Sequence, residues 1–197
     1  MIISIHQPEH FPYMGFFQKM EACDLFVVLD TVKFRKNYFQ NRNRFINRSG
    51  EEEWFTVPVE KDANSKAINQ VSVSQIGNWR TKVPKQIKLN LGHNVEDIYQ
   101  SSNKLVDINM ASINWVREKL GIKTPMIMSS DISPVGAKTD LIIDVCQKLK
   151  ADEYISGESG RDYLERQKFY DNGIKLTFFE PKVDNLMSSI YNIPTRK

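Results

Sequence analysis

Three clusters in this 197-residue chain combine residue types and spacing suited to chemistry. The first is His6-Gln7-Pro8-Glu9-His10. An imidazole can move a proton or donate a hydrogen bond to a developing anion, so His6 and His10 are candidate catalytic groups, with Gln7 beside them to bind. The second runs from Lys33 to Arg48 and carries Lys33, Arg35, Lys36, Arg42, Arg44 and Arg48 without one acid. Guanidinium forks suit phosphate or carboxylate, and the interleaved Tyr38 and Phe39 could stack on a base or a sugar ring. Lys33, Arg42, Asn43 and Arg44 are therefore candidate substrate or phosphate ligands. The third is Ser156-Gly157-Glu158-Ser159-Gly160. Two serines and two glycines ahead of a helix can offer main-chain N–H groups to an anion, which singles out Ser156, Gly157, Ser159 and Gly160. Asp30 is a candidate to hold Mg²⁺ or a ligand amine, against the plainer role of capping a turn. No His, Cys, Asp or Glu grouping has zinc spacing, and no nucleophile elbow is visible.

These clusters need elements to position them. Ile2, Ile3 and Ile5 form a strand ending at His6. Pro8 and Pro12 forbid helix between them. Tyr13, Met14, Phe16, Phe17 and Met20 recur at helical spacing, and Leu25 to Leu29 is apolar throughout, as in a strand buried on both faces. This is a right-handed βαβ unit. Phe45-Ile46 and Trp54 to Val57 flank a turn at Ser49-Gly50, with Val71 and Val73 as a short third strand, so 44–74 reads as a small antiparallel insertion near the His6 loop. Helices follow over Asn78 to Leu91, strained by Pro84, and over Leu105 to Leu120, stopped by Gly121. Then come a strand at 125–128, a helix at 139–150, a strand at Tyr154-Ile155, a helix at 161–170 and a strand over Ile174 to Phe178; the tail from Pro181 is irregular. The expected fold is one α/β domain over 1–197, Rossmann-like, with a five-stranded parallel sheet in the order 3-2-1-4-5. Its switch point, where open α/β sheets bind ligands, falls between the strands that end at His6 and at the Ser156 loop.

Composition narrows the classes. The net charge of +3 is too mild to argue for nucleic acid on its own. Cys23 and Cys146 make neither a disulfide framework nor a metal motif, and no run is long enough to span a membrane or reads as a cleaved leader, so a cytoplasmic protein is expected.

Read together, His6-Gln7-Pro8, Pro12, Gly15, Asp24 to Asp30, Val32-x-Phe34, Asn41-Arg42-Asn43-Arg44, Thr56-Val57-Pro58-Val59, Leu120-Gly121-Ile122, Tyr154-Ile155-Ser156-Gly157 and Tyr163-Leu164 resemble the WbqC-like family, in the same order from Met1 to about Phe178. The chain departs from the family pattern at His10, where Tyr is usual, at Tyr13 and Phe39, where Trp is favoured, at Lys33 in place of Gln, and at Val83 in place of His. The family's closing C-terminal motif is missing. The resemblance implies a protein of surface-polysaccharide (O-antigen) gene clusters, with glycyl, other aminoacyl or acyl transfer to an amino sugar as the expected activity. The His6 loop is also similar to the His-x-Gly-His site of nucleotidylyl transferases and related ligases, which implies ATP with Mg²⁺, and an imidazolium at His6 steadying the leaving pyrophosphate. Sugar or nucleotide-sugar substrates are the expected partners. The alternative is a non-catalytic module binding a nucleotide, nucleotide-sugar or nucleic acid.

Overall fold

Along the chain the elements are β1 (Ile2–His6), α1 (Met14–Glu21), β2 (Leu25–Val28), β3 (Arg42–Ile46), β4 (Glu52–Thr56), α2 (Trp79–Leu91), α3 (Glu96–Gln100), α4 (Leu105–Leu120), β5 (Met126–Met128), α5 (Ser129–Ile132), α6 (Thr139–Lys148), β6 (Glu153–Gly157), α7 (Arg166–Asp171), β7 (Lys175–Phe179) and α8 (Ser189–Asn192). They come from a computed structural model that describes residues 1–195. The chain divides into two compact units: 1–7, 15–30 and 123–182 form the first; 8–14, 31–122 and the chain from Val183 form the second.

The first unit is a five-stranded parallel sheet ordered β5-β2-β1-β6-β7, which is 3-2-1-4-5 when its own strands are counted along the chain. β1 and β2 form its centre because they are apolar enough to be covered on both sides; Ile3, Phe26, Val27 and Val28 are wholly buried. Ser4, the one polar residue in mid-strand, keeps its hydroxyl satisfied by donating to the Ile155 carbonyl at 2.8 Å. Helix α1 lays Phe16, Phe17 and Met20 on this core, with Phe16 edge-on to Phe26 at 5.0 Å. The edge strand β7 is the most exposed, as its alternating pattern implies.

The second unit packs the antiparallel pair β3–β4 with α2, α3 and α4. The turn between the two strands is closed by Asn47, whose side-chain oxygen accepts the N–H groups of Ser49 and Glu51. Gly50 supplies the positive φ of 82° that the turn requires. Helix α4 ends at Gly121, φ 72°, whose N–H closes on the last turn. Helix α2 runs through Pro84, losing one main-chain bond but burying Trp79, Val83 and Ile87.

Three local expectations are corrected. The hairpin begins at Arg42, so Arg42 and Arg44 stand in a strand instead of ahead of it. Val73 makes an isolated bridge to Val59 and Val71 makes backbone bonds with Ile68 and Leu105, not a third strand. The helix expected at 161–170 is a 3₁₀ turn over Glu158–Asp162 followed by the shorter α7, because Gly160 is drawn inward against Ser156.

Candidate functional site

Parallel strands end together, and in the first unit β1 ends at His6 beside Val28 of β2. The half-buried His6 ring bonds through Nδ1 to the Gln7 carbonyl at 3.0 Å. A carbonyl only accepts, so Nδ1 carries the proton and Nε2 presents its lone pair. Phe16 meets the ring edge-on at 4.9 Å. Burial, and then the nearby Lys19 ammonium, lower the imidazole to about 3 against the opposing effect of the Gln7 carbonyl. His6 is therefore neutral near pH 7, which corrects the expected imidazolium.

The cation at this edge is Lys19. Its side chain leaves α1 on the covered face, is 4 % exposed, and donates to the Ile5 carbonyl at 3.3 Å. A Cβ placed on Gly157, the last residue of β6, would lie 3.9 Å from Lys19 Nζ. The ammonium thus stands at the carboxyl ends of β1 and β6. The crossovers run in opposite directions from these two strands. Nothing in the sequence reading selected Lys19; the available signal was its place with Phe16 and Met20 at i, i+3 and i+4 on an otherwise apolar face.

The other candidates of the first unit are tied into the fold. One oxygen of buried Asp30 accepts from the Ser129 hydroxyl at 2.7 Å and the Ser130 N–H at 2.9 Å; the second accepts from the Ser130 hydroxyl at 2.7 Å. This carboxylate joins the ends of β2 and β5, with three of its acceptor positions taken by the two serines. Ser156 is buried and donates to the Gly157 carbonyl, and Gly160 lies so close that an added Cβ would sit 2.1 Å from Ser156 Oγ. Close packing accounts for Gly160. Ser159 is exposed, and Gln7 is half-buried.

In the second unit His10 belongs to a buried network. Its Nε2 lies 2.9 Å from the Tyr99 hydroxyl, and its ring touches Phe11 and Phe55 edge-on. Burial lowers its imidazole to about 3, with the Asn109 amide working in the other direction. Asn43 donates to the carbonyls of His10 and Phe11 at 3.1 and 2.8 Å, Asn109 to those of Pro8 and Gln40, and the Phe11 N–H reaches Ser112 Oγ. These bonds hold Phe11 at φ 43°, a left-handed conformation that costs a bulky residue about 1–2 kcal/mol. His10 and Asn43 are wholly or almost wholly buried and shape the loop from within.

Arg42 and Arg44 are two residues apart on β3, so their side chains share a face. Trp54 stands directly across from Arg44 on β4. The Arg42 guanidinium lies 4.4 Å from the indole ring and that of Arg44 5.2 Å, while Phe39 stacks nearly parallel at 6.4 Å. Glu52 holds the indole N–H at 2.9 Å and faces Arg44 Nε at 3.4 Å. Arg35 covers Tyr38 at 4.7 Å, and Tyr38 meets Phe39 edge-on. Lys33 is exposed, its backbone bridged to Ala67. The sequence cluster is therefore organised by Trp54, which the sequence reading treated only as a strand residue.

A profile of the WbqC-like protein family matches residues 7–186. The chain belongs to the WbqC-like protein family. It is 27 % identical over 189 residues to the uncharacterized protein Rv1507c of Mycobacterium tuberculosis, covering 90 % of this chain and 81 % of that protein. No solved structure matches it.

For this WbqC-like protein the two clusters offer different chemistry. The sheet edge has a buried ammonium beside a neutral imidazole. The β3–β4 face has two guanidinium groups held against one indole. A cleft of about 550 Å³ in the second unit adds His93, Trp115 and Lys119 as walls; the His93 ring is already bonded to the Ile193 carbonyl at 3.0 Å. The cysteines are poor nucleophiles, since burial raises Cys23 to about 11 and Cys146 to about 12. Among the described residues no group of three His, Cys, Asp or Glu could hold a metal ion, and no helix is long and apolar enough to cross a membrane.

Proposed function

We propose that this WbqC-like protein is a cytoplasmic transferase of surface-polysaccharide sugars that joins an acyl or aminoacyl group to the amine of an amino sugar carried on a nucleotide. The observation that carries this reading is the pair Arg42 and Arg44 held against Trp54. The indole restrains both guanidinium groups, so less ordering is left to be done when they clamp a diphosphate. Family membership supports the polysaccharide context.

In the proposed reaction the sugar nitrogen attacks an activated acyl carbon. A C–N bond forms, the bond from that carbon to its leaving oxygen breaks, and the amine gives up a proton. That proton passes to solvent. ATP with Mg²⁺ as a soluble co-substrate would activate the carboxylate, the leaving oxygen then being that of AMP.

The test is ATP–pyrophosphate exchange across the amino acids, followed by mass spectrometry of an amino-sugar nucleotide incubated with enzyme, ATP and the active amino acid. Exchange with one amino acid and a product heavier by one acyl residue are expected, the product being lost in Arg42→Ala. Folded protein giving neither result would remove the transferase reading. The chain of Arg35, Tyr38, Phe39 and Trp54 favours one second reading, a module that binds a nucleotide or nucleic acid without turnover. Its mark is tight binding that weakens steeply with salt.

A further inference from the structure

We propose that the cleft beside the last turns of α4 is a binding site for a neutral sugar ring. Its aromatic wall is Trp115, half-buried, which Phe11 and His93 meet edge-on at 6.0 and 5.2 Å and so restrain before a ligand arrives. Glu118 and Lys119 follow it at i+3 and i+4, so the three side chains share one face of the helix. The chain over 193–195 supplies another wall. His93 Nε2 donates to the Ile193 carbonyl at 3.0 Å, and a Cβ added to Gly92, the cap of α2, would come within 2.9 Å of Thr195 Cγ2, so this segment is seated closely. The enclosed volume of about 550 Å³ lies within the range of small-molecule sites, about 300–1,000 Å³.

The lining selects the class of ligand. An indole offers an apolar face to the C–H side of a sugar ring. Around it stand exposed Asn94, which donates and accepts, Glu118, which as carboxylate only accepts, and Lys119, which only donates. The Lys119 ammonium lies 5.4 Å from the indole centroid, so a group seated there meets a donor. A sugar hydroxyl donates and accepts, and therefore suits all three. A phosphoryl or carboxylate group would be repelled by Glu118, and a cation by Lys119. Burial lowers His93 below its ordinary value, so it adds no charge near pH 7. The β3–β4 face, with two guanidinium groups on its indole, is built for the opposite kind of ligand.

This site goes beyond the acyl-transfer reading, and its test needs neither ATP nor turnover. The chain holds three tryptophans, Trp54, Trp79 and Trp115, so ¹⁵N-tryptophan labelling gives each place its own indole signal. The protein is titrated with the methyl glycosides of glucose, galactose, mannose and N-acetylglucosamine and, separately, with sodium pyrophosphate. At least one glycoside should shift the Trp115 signal saturably. Its affinity should fall about fivefold or more in Glu118→Ala and in Lys119→Ala, each of which removes a charged hydrogen-bonding group from the cleft. Both residues are exposed, so both variants are expected to fold, and if one does not, the other decides. Equal affinity in the folded variants, a glycoside shift confined to Trp54, a saturable response of Trp115 to pyrophosphate alone, or no saturable response to any glycoside overturns the proposal. Failure of the transferase reading is told apart, since that is read from exchange and product.

Discussion

At the scale of single residues, the histidines show how position governs chemistry. His6 ends a strand at the sheet edge, while His10, only four residues on, is sealed among Tyr99, Phe11 and Phe55. Burial of His10 has a consequence for acid stability. Its folded pKa of about 3 lies below the unfolded value of 6.5, so between those values the unfolded chain binds the extra proton. Stability is therefore lost as pH falls below 6.5, by about 1.4 kcal/mol per unit for one such group. Urea unfolding at pH 7 and pH 5 should show about 2 kcal/mol more loss in the wild type than in His10→Phe, which keeps a ring but cannot titrate. The baseline cost of losing the Tyr99 bond cancels in this comparison. Equal slopes in the two proteins would place the His10 proton elsewhere. The sequence marked His6 and His10 alike as candidates, because a loop between two prolines reveals residue type and backbone restriction but not which ring is covered. Lys19 was hidden for the converse reason: a lysine on a helix reads as solvated until the sheet that buries it is known.

At the scale of elements, segments that carry their own punctuation were legible: β1, α1 and β2 by apolar spacing, α4 by its Gly121 stop, the hairpin by Ser49-Gly50. What failed depended on distant partners. The spacing after β6 predicts a short helix over 161–170, but the chain forms a 3₁₀ turn over Glu158–Asp162 and then the shorter α7, with Gly160 packed on Ser156. Gly160→Ala should cost about 1–3 kcal/mol by overpacking. Ser156→Ala removes the oxygen that collides, so the double variant should recover part of that loss in a denaturation cycle. Strict additivity would mean that Leu164, whose methyl lies 2.9 Å from the added Cβ, is the real obstacle. The hairpin supports a second test. Once its turn is fixed the register places Trp54 opposite Arg44, and this pairing turns a run of charge into a shaped face. Arg42→Lys keeps the charge and loses the planar fork, so affinity for a nucleotide sugar should fall about tenfold or more by calorimetry. Stability should change by about 1–2 kcal/mol at most, the scale of a cation–π contact at a half-buried site.

At the scale of the whole molecule, connectivity decides how the chain comes apart. It leaves the first unit after Gln7, returns at Gly15, leaves again after Asp30, returns at Lys123 and leaves after Lys182. Each unit is thus assembled from separated pieces of chain. The segment 8–14 is the shortest link. Its ends continue into β1 and α1 of the first unit, while its interior is bonded within the second through His10, Phe11 and Pro12. Melting the second unit releases that segment and with it the fixed span between β1 and α1; melting the first frees both of its ends. Such threading favours one cooperative transition. The chain carries separate reporters for each unit. Trp54, Trp79 and Trp115 all belong to the second, whereas Cys23 and Cys146 are buried in the first. Tryptophan emission and thiol labelling followed across one urea series should give the same midpoint within error. Emission changing at lower urea, while both thiols stay protected, would show that the parallel sheet stands without its partner unit.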